Sequence, residues 1–442
     1  LSIFASKSGF WLGLLLLLAG LSWPRPVLAH AGLVKSLPAD LCTSLESQLS
    51  PGSPECATGQ ILSSPPDSLH LWFSEPVQTV RRSIMITTSS GSQLAPALVQ
   101  LNDRELMVTL NLTEQGTYLV NWRVLSGDTH PVRGQFAFSV GRASPLINIS
   151  DSSSQEVGRV SALGLALQVV ARWLHFCGYA LSFGPLVFWR TVLGLQANPL
   201  AERRLWRLVG LGIGLLLLAE PLALLGQTAS LSPAQVFDPD VIGDVLASNF
   251  GPVLAQHLGA AILLWVLSGL VRELGVARLS VIGLGIGLVL ALADGQASHA
   301  ITSNPVWFSL LINALHLAAM GMWVGGLASL LLVWPLKETG RKPAELVSRF
   351  GKIAGISLAL LIVTGLIMTW QHLNRPSDLL QQNYGLALTL KLALLLLTVA
   401  LAWQGRKTEW KPQRARWWRL EALALLAVLV IAGLLVSLPS PA

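Results

Sequence analysis

Two hydrophobic rhythms divide the chain. Between His30 and about Gly141, apolar and polar residues alternate over short stretches: Leu69-His70-Leu71-Trp72-Phe73, Ser83-Ile84-Met85-Ile86-Thr87, Leu106-Met107-Val108-Thr109-Leu110, Tyr118-Leu119-Val120-Asn121-Trp122 and Gln135-Phe136-Ala137-Phe138-Ser139-Val140. A period of two, broken by Gly, Pro, Ser and Asp turns, predicts short antiparallel strands and hence a small all-β sandwich or barrel over 30–141. Residues 142–159, rich in Ser and Asp at their start, read as a linker. Beyond them the alternation gives way to eight continuous apolar runs near 161–189, 205–227, 249–271, 279–299, 306–334, 353–373, 385–403 and 420–438. Each is long enough to cross a bilayer as a helix, which satisfies its own backbone hydrogen bonds in hydrocarbon. The expected fold is therefore an all-β domain followed by an all-α polytopic membrane bundle of eight transmembrane helices over 160–438.

The start of the chain has a different pattern. Lys7 precedes an apolar run from Phe10 to Leu21, and Val27-Leu28-Ala29 sets small residues three and one positions before His30. This is the pattern of a secretory signal peptide over 1–29, with cleavage before His30. Charge in the membrane region gives an independent orientation. The connections after the first, third, fifth and seventh runs hold 17 Lys and Arg, whereas those between them and the C-terminal tail hold only Arg375. Positive residues stay on the cytoplasmic side. The β domain and the C-terminus are thus expected outside the cytoplasm, on a multi-pass membrane protein.

Composition narrows the function classes. A chain of 442 residues with 52% hydrophobic and 12% charged content, at mean hydropathy +0.59, lives mostly in lipid. Its net charge of +7 is accounted for by the basic connections, so nucleic-acid binding is set aside. Three cysteines are too few for a disulfide scaffold. Cys42 and Cys56 flank a Ser/Pro/Gly-rich loop and, outside the cytoplasm, are expected to be joined in a structural role; Cys177 is expected to be packing.

Cleavage before His30 would leave an imidazole and a free α-amino group on one residue, a chelating pair suited to Cu(II). In Ser126-Gly127-Asp128-Thr129-His130-Pro131-Val132, Asp128 and His130 stand two apart and share a face of an extended segment. These residues sit within larger patterns: His30-Ala31…Ser36-Leu37-Pro38-Ala39-Asp40, Leu71-Trp72-Phe73-Ser74-Glu75-Pro76-Val77, and Tyr118 through Phe138. Together they resemble the CopC copper-binding family over essentially all of 30–141. That resemblance implies a Greek-key β-barrel that binds Cu(II) through His30, Asp128 and His130, with Glu75 at most supporting a ligand. His70 matches no ligand position and is expected to be an ordinary strand histidine. Only Met85 and Met107 occur here, each in an apolar strand, which argues against a second, methionine-rich Cu(I) site.

In the membrane region, ionisable residues are costly and point to function. With the orientation above, His175, Glu220, His257, Asp294, His299, His316, His372 and Tyr384 all fall in the outer half of their helices or at the outer rim, and Lys391 somewhat deeper. The pairs His316/Met320 and Met368/His372 are four residues apart, so each shares a helical face. Imidazole with thioether is a donor set for Cu(I) or a weak Cu(II) site. The candidate membrane copper site is therefore drawn from His316, Met320, Met368, His372, His299, His257 and His175.

The segments Asp294-Gly295-Gln296-Ala297-Ser298-His299, Leu315-His316 through Leu327, Arg349-Phe350-Gly351-Lys352 and Asn383-Tyr384-Gly385 with Lys391 look like the CopD copper-resistance membrane family over roughly 160–437. CopD-like chains often show Gly-His-Ala-Ser-His where this one has Gly295-Gln296-Ala297-Ser298-His299, so Gln296 stands at a potential ligand position. Gly325-Gly326 after Trp323 is expected to allow close helix packing.

The combined resemblance implies a CopC–CopD fusion that captures Cu(II) outside and passes copper to the bundle for import, acting as a carrier and not an enzyme. Its implied partners are copper ions and the lipid bilayer, with periplasmic copper chaperones or a reductant as further candidates. No G-x-x-x-x-G-K-[ST] motif is present, so transport would draw on a gradient, a reductant or a partner. Two competing classes are a membrane haem/copper redox protein, which a Soret band would reveal, and a copper resistance or storage module without transport, which uptake into sealed vesicles would exclude.

Overall fold

The computed structural model describes residues 33–38, 60–126, 131–144, 161–194, 198–274, 280–296, 305–334, 336, 341–372, 383–408 and 411–438. The leader 1–29, Cys42, Cys56 and most of the linker lie outside the described residues.

The N-terminal domain is two packed sheets. Strands β1 (Leu33–Leu37), β3 (Ser68–Phe73), β7 (Glu105–Thr109) and β6 (Leu98–Asn102) form the first, in that order; β2 (Gln60–Leu62), β9 (Pro131–Val140), β8 (Gly116–Ser126), β4 (Val77–Thr87) and β5 (Gln93–Leu94) form the second. The period-two pattern does what it predicts. Leu69, Leu71 and Phe73 of β3 and Leu106 and Val108 of β7 face Ile84, Ile86, Val120, Trp122, Phe136 and Phe138 of the other sheet in one apolar core. The expectation of purely antiparallel pairing is corrected at one edge, where β2 runs parallel to β9. The chain reaches β2 by crossing from the other sheet and leaves it the same way, so no hairpin sets its direction. His70 points outward from β3, stacks on Trp72 and lies 3.2 Å from a Glu105 carboxylate oxygen, as an ordinary strand histidine does.

Strand β4 carries a bulge between Thr79 and Ile84. The Ser83 hydroxyl closes it, accepting from the Val80 N–H at 2.7 Å and donating to the Val80 carbonyl at 2.8 Å. Arg82 takes a left-handed backbone conformation there, with φ of 56°.

The C-terminal region is helical: α1 (Ala162–Phe188, continued by a π turn Trp189–Leu193), α2 (Pro199–Leu231), α3 (Pro239–Ala247), α4 (Phe250–Leu274), α5 (Ser280–Gln296), α6 (Val306–Val333), α7 (Pro343–His372), α8 (Asn383–Lys407) and α9 (Lys411–Ser437). Seven of these, among the described residues, are long and apolar enough to cross a membrane. Helix α5 coincides with the fourth apolar run but is described over only 17 residues, ~26 Å at 1.5 Å per residue. Helices α2, α7 and α9 begin six to ten residues before their apolar runs, because Arg, Lys and Glu continue a helix as readily as Leu does. Short α3, not expected from the apolar runs, starts at Asp238, whose side chain accepts the Asp240 N–H at 2.9 Å, with Pro239 in the first turn.

Helix α1 is the axis of the bundle: 83% of its apolar window is buried. It packs on α2, α5, α6 and α9. Small residues permit the closest approaches, as Gly325-Gly326 suggested. A Cβ on Gly325 would overlap the Ala180 carbonyl oxygen of α1, and one on Gly212 of α2 would meet the Ser182 amide nitrogen at 2.5 Å.

The β domain docks on the membrane domain through the outer face of its second sheet. Val80, raised by the bulge, and Leu125 pack with Leu231, Val241, Val245, Phe250 and Leu254. Gln78 and Asn249 exchange two bonds: the Gln78 side-chain amide donates to Asn249 Oδ1 at 2.7 Å, and the Asn249 backbone N–H donates to Gln78 Oε1 at 2.8 Å. The Arg81 backbone N–H donates to Asp244 at 2.6 Å, while its guanidinium pairs with Asp240.

Candidate metal centre

His175 (α1), Glu220 (α2), His257 (α4) and Asp294 (α5) come together from four helices. Their relative exposures of 5, 4, 7 and 9% put all four out of bulk water. A single oxygen, Glu220 Oε1, lies 2.8 Å from His175 Nδ1 and 3.2 Å from His257 Nδ1. The two imidazole rings are 4.7 Å apart between centroids and tilted by 40°. On the other side of its ring, His175 Nε2 stands 3.6 Å from Asp294 Oδ1. His175, Glu220 and His257 are the one group of three or more potential metal-binding His, Cys, Asp and Glu residues among the described residues.

Hydrogen-bond logic sets the donors. An ionised carboxylate only accepts, so both Nδ1 atoms carry their protons toward Glu220, and both Nε2 atoms keep a lone pair. Those Nε2 atoms are buried with no hydrogen-bond partner. An imidazole held by a carboxylate at one nitrogen with the other nitrogen free is the usual preparation of a histidine metal ligand. All four side chains line a cavity of about 50 Å³, more than the 10–15 Å³ or so that one water needs. Its donors are nitrogen and oxygen, a set suited to copper or zinc with imidazole ligands; no sulfur is among its described lining residues.

The structure thus takes His175 and His257 from the candidate membrane site and adds Glu220 and Asp294, which the chain showed only as ionisable residues at the same depth. His316 lies elsewhere. The Thr364 hydroxyl donates to the Leu360 carbonyl at 2.6 Å, so it accepts from His316 Nδ1, 2.8 Å away. Lys391 is within electrostatic reach of that ring. Met320 packs at the edge of the bundle core with Met322, and Met368 is half-buried. His372 closes α7, but its side chain lies outside the described residues, as do His299, His30, Asp128 and His130. Cys177 is buried in the bundle core as expected, and Gln296 bonds Gln256 across α4 and α5 at 3.3 Å.

Although Asp128 and His130 are not described, the residues that bracket them are. Ser126 pairs with Val77 and Leu125 with Pro131, so the bracketing ends of β8 and β9 are at the start of β4. Leu33, three residues after His30, pairs with Phe73 at that same end of the domain. This is the end from which Gln78, Val80 and Leu125 reach the membrane domain.

A two-sheet domain seated on a polytopic helical bundle, with one candidate metal centre among the described residues, defines a two-part membrane protein. Comparison with known proteins supplies the family. Residues 53–141 match the CopC domain, 162–306 the copper resistance protein D-like N-terminal domain, and 344–435 copper resistance protein D. The chain belongs to the CopC–CopD copper-resistance family, with both parts in one polypeptide. It is 25% identical to the copper transport protein CutJ of Bacillus subtilis (strain 168), over 98% of this chain and 78% of that one. Copper resistance protein C of Xanthomonas campestris pv. juglandis is 33% identical over 86 residues, 17% of this chain and 68% of its own length. The crystal structure of CopC from Methylosinus trichosporium OB3b aligns over its whole length and 27% of this chain, at 23% identity and a TM-score of 0.20. His175, Glu220, His257 and Asp294 all fall within the first membrane match, whereas His316 and Met320 fall between the two.

Proposed function

We propose that this protein imports copper. Cu(II) is captured outside the membrane by His30, Asp128 and His130 and handed to His175 and His257, whose rings Glu220 holds and whose cavity Asp294 completes. The observation that carries this reading is the sharing of Phe250 and Leu254. Both belong to the apolar contact under the β domain and both line the cavity of the buried histidines. Leu125, three residues before Asp128 and paired with Pro131, belongs to the same contact, which supports a donor segment near the acceptor within one chain and a raised effective concentration.

The nitrogen and oxygen donors suit Cu(II) at arrival, and a reductant or periplasmic chaperone is a later partner in this scheme. In the same reading α5 completes eight spans of a bacterial inner-membrane protein, with the β domain, α3 and the C-terminus outside. Seventeen basic residues on the alternate connections support that orientation. The protein is a carrier, and no covalent chemistry is assigned to it.

The test is copper binding to the purified full-length chain. Wild type should bind at two separable sites; His30→Ala should lose the tighter Cu(II) site alone, and His175→Ala/His257→Ala the other alone. Two sites surviving in the double variant would refute the acceptor.

A further inference from the structure

A second cavity, of about 390 Å³, lies between the outer face of the second sheet and the outer end of α2. Three arginines line it. Arg123 and Arg133 stand directly opposite each other on β8 and β9, and Arg82 is turned toward them by the β4 bulge; Leu231 and Gln235 close the far wall. No Asp or Glu is among the described lining residues.

Like charges directly opposite on paired strands repel. The two acids of α3 are already engaged, Asp240 by the Arg81 guanidinium and Asp244 by its backbone N–H. One arm of Arg123 donates to the Arg81 carbonyl at 2.8 Å, but its buried Nε has no hydrogen-bond partner. Burial holds the Arg123 guanidinium below its ordinary pKa; Asp244 works against this and Arg82 adds to it.

We propose that this cavity binds a phosphate-bearing anion, held between Arg82, Arg123 and Arg133. Planar guanidinium groups match phosphate oxygens two at a time. Trp122, Met85 and Leu231 add an apolar wall, and Leu231 ends α2 on the side that the proposed orientation places outside. The phosphate is therefore that of an anionic lipid headgroup or a free ion from the medium.

The experiment is thermal unfolding of the full-length chain in phosphatidylcholine nanodiscs. Phosphatidylglycerol is added in one arm and inorganic phosphate, at matched ionic strength against chloride, in the other. Wild type and the control Arg104→Gln should unfold at higher temperature with at least one phosphate source. Arg123→Gln/Arg133→Gln should respond to neither source. Arg82→Gln, at an exposed position, should need at least tenfold more phosphate for the same shift, and it keeps the test open if the double variant does not fold. A response to phosphatidylglycerol alone assigns a headgroup, and one to inorganic phosphate assigns a free anion. No shift in wild type, or an undiminished shift in both arginine variants, would overturn the site.

Discussion

Replacing Glu220 by Gln tests the buried centre at its most informative atom. Oε1 accepts from both His175 and His257, at 2.8 and 3.2 Å. Glutamine keeps the shape and an accepting oxygen but removes the charge. Hydrogen bonds to a charged group contribute about 1.5–3 kcal/mol and neutral ones about 0.5–1.5, so each bond weakens by ~1 kcal/mol and the pair by ~2. At 1.4 kcal/mol per factor of ten, copper affinity should fall ~30-fold, within the roughly 10–100-fold range typical of groups that orient a metal ligand. The assay is competition against a copper chelator, using full-length protein carrying His30→Ala so that the membrane site is read alone. Unchanged affinity would refute the orienting role. A loss beyond ~1,000-fold would show that Glu220 itself bonds the ion, which also contradicts the assignment of Nε2 as donor.

Other consequences follow from the packing. Gly325→Val should prevent α1 and α6 from closing, because the new side chain overlaps the Ala180 carbonyl; overpacking of this kind costs ~1–3 kcal/mol or more, read as a lower unfolding temperature in detergent. Trp323→Phe removes the buried donor 2.9 Å from Glu421 Oε1 and should cost ~1–3 kcal/mol, measured in the same way. Val80→Asp should undock the β domain by placing a charge among Val241, Val245 and Phe250; copper bound at the outer site should remain while transfer to the bundle slows, as rapid-mixing spectroscopy would show. His316→Ala should leave copper binding at the buried centre unchanged in the chelator competition.

The parts of the fold that were readable in the chain are those governed by local rules. Alternation identified the core strands, because each inward residue must be apolar regardless of what it faces. Continuous apolar runs located every long helix, but missed the basic turns of α2, α7 and α9, where helix formation outlasts hydrophobicity. Strand β2 and helix α3 gave weaker signals: three residues show no period, and α3 buries only Val241 and Val245. The centre was half readable. Depth singled out His175, Glu220, His257 and Asp294 alike, but their convergence depends on how α1, α2, α4 and α5 pack, which no spacing along one helix encodes. Spacing instead drew attention to His316 and Met320, which share a face of one helix, whereas the hydrogen-bond partner of His316 is Thr364 on the next.

The central claim is that copper crosses by way of the two buried imidazoles. Uptake of radioactive copper into proteoliposomes holding the full-length chain tests it directly. Wild type should accumulate copper above empty liposomes, and His175→Ala/His257→Ala, folded and still loading copper outside, should accumulate no more than the empty ones. Equal uptake by the double variant and the wild type would contradict the account.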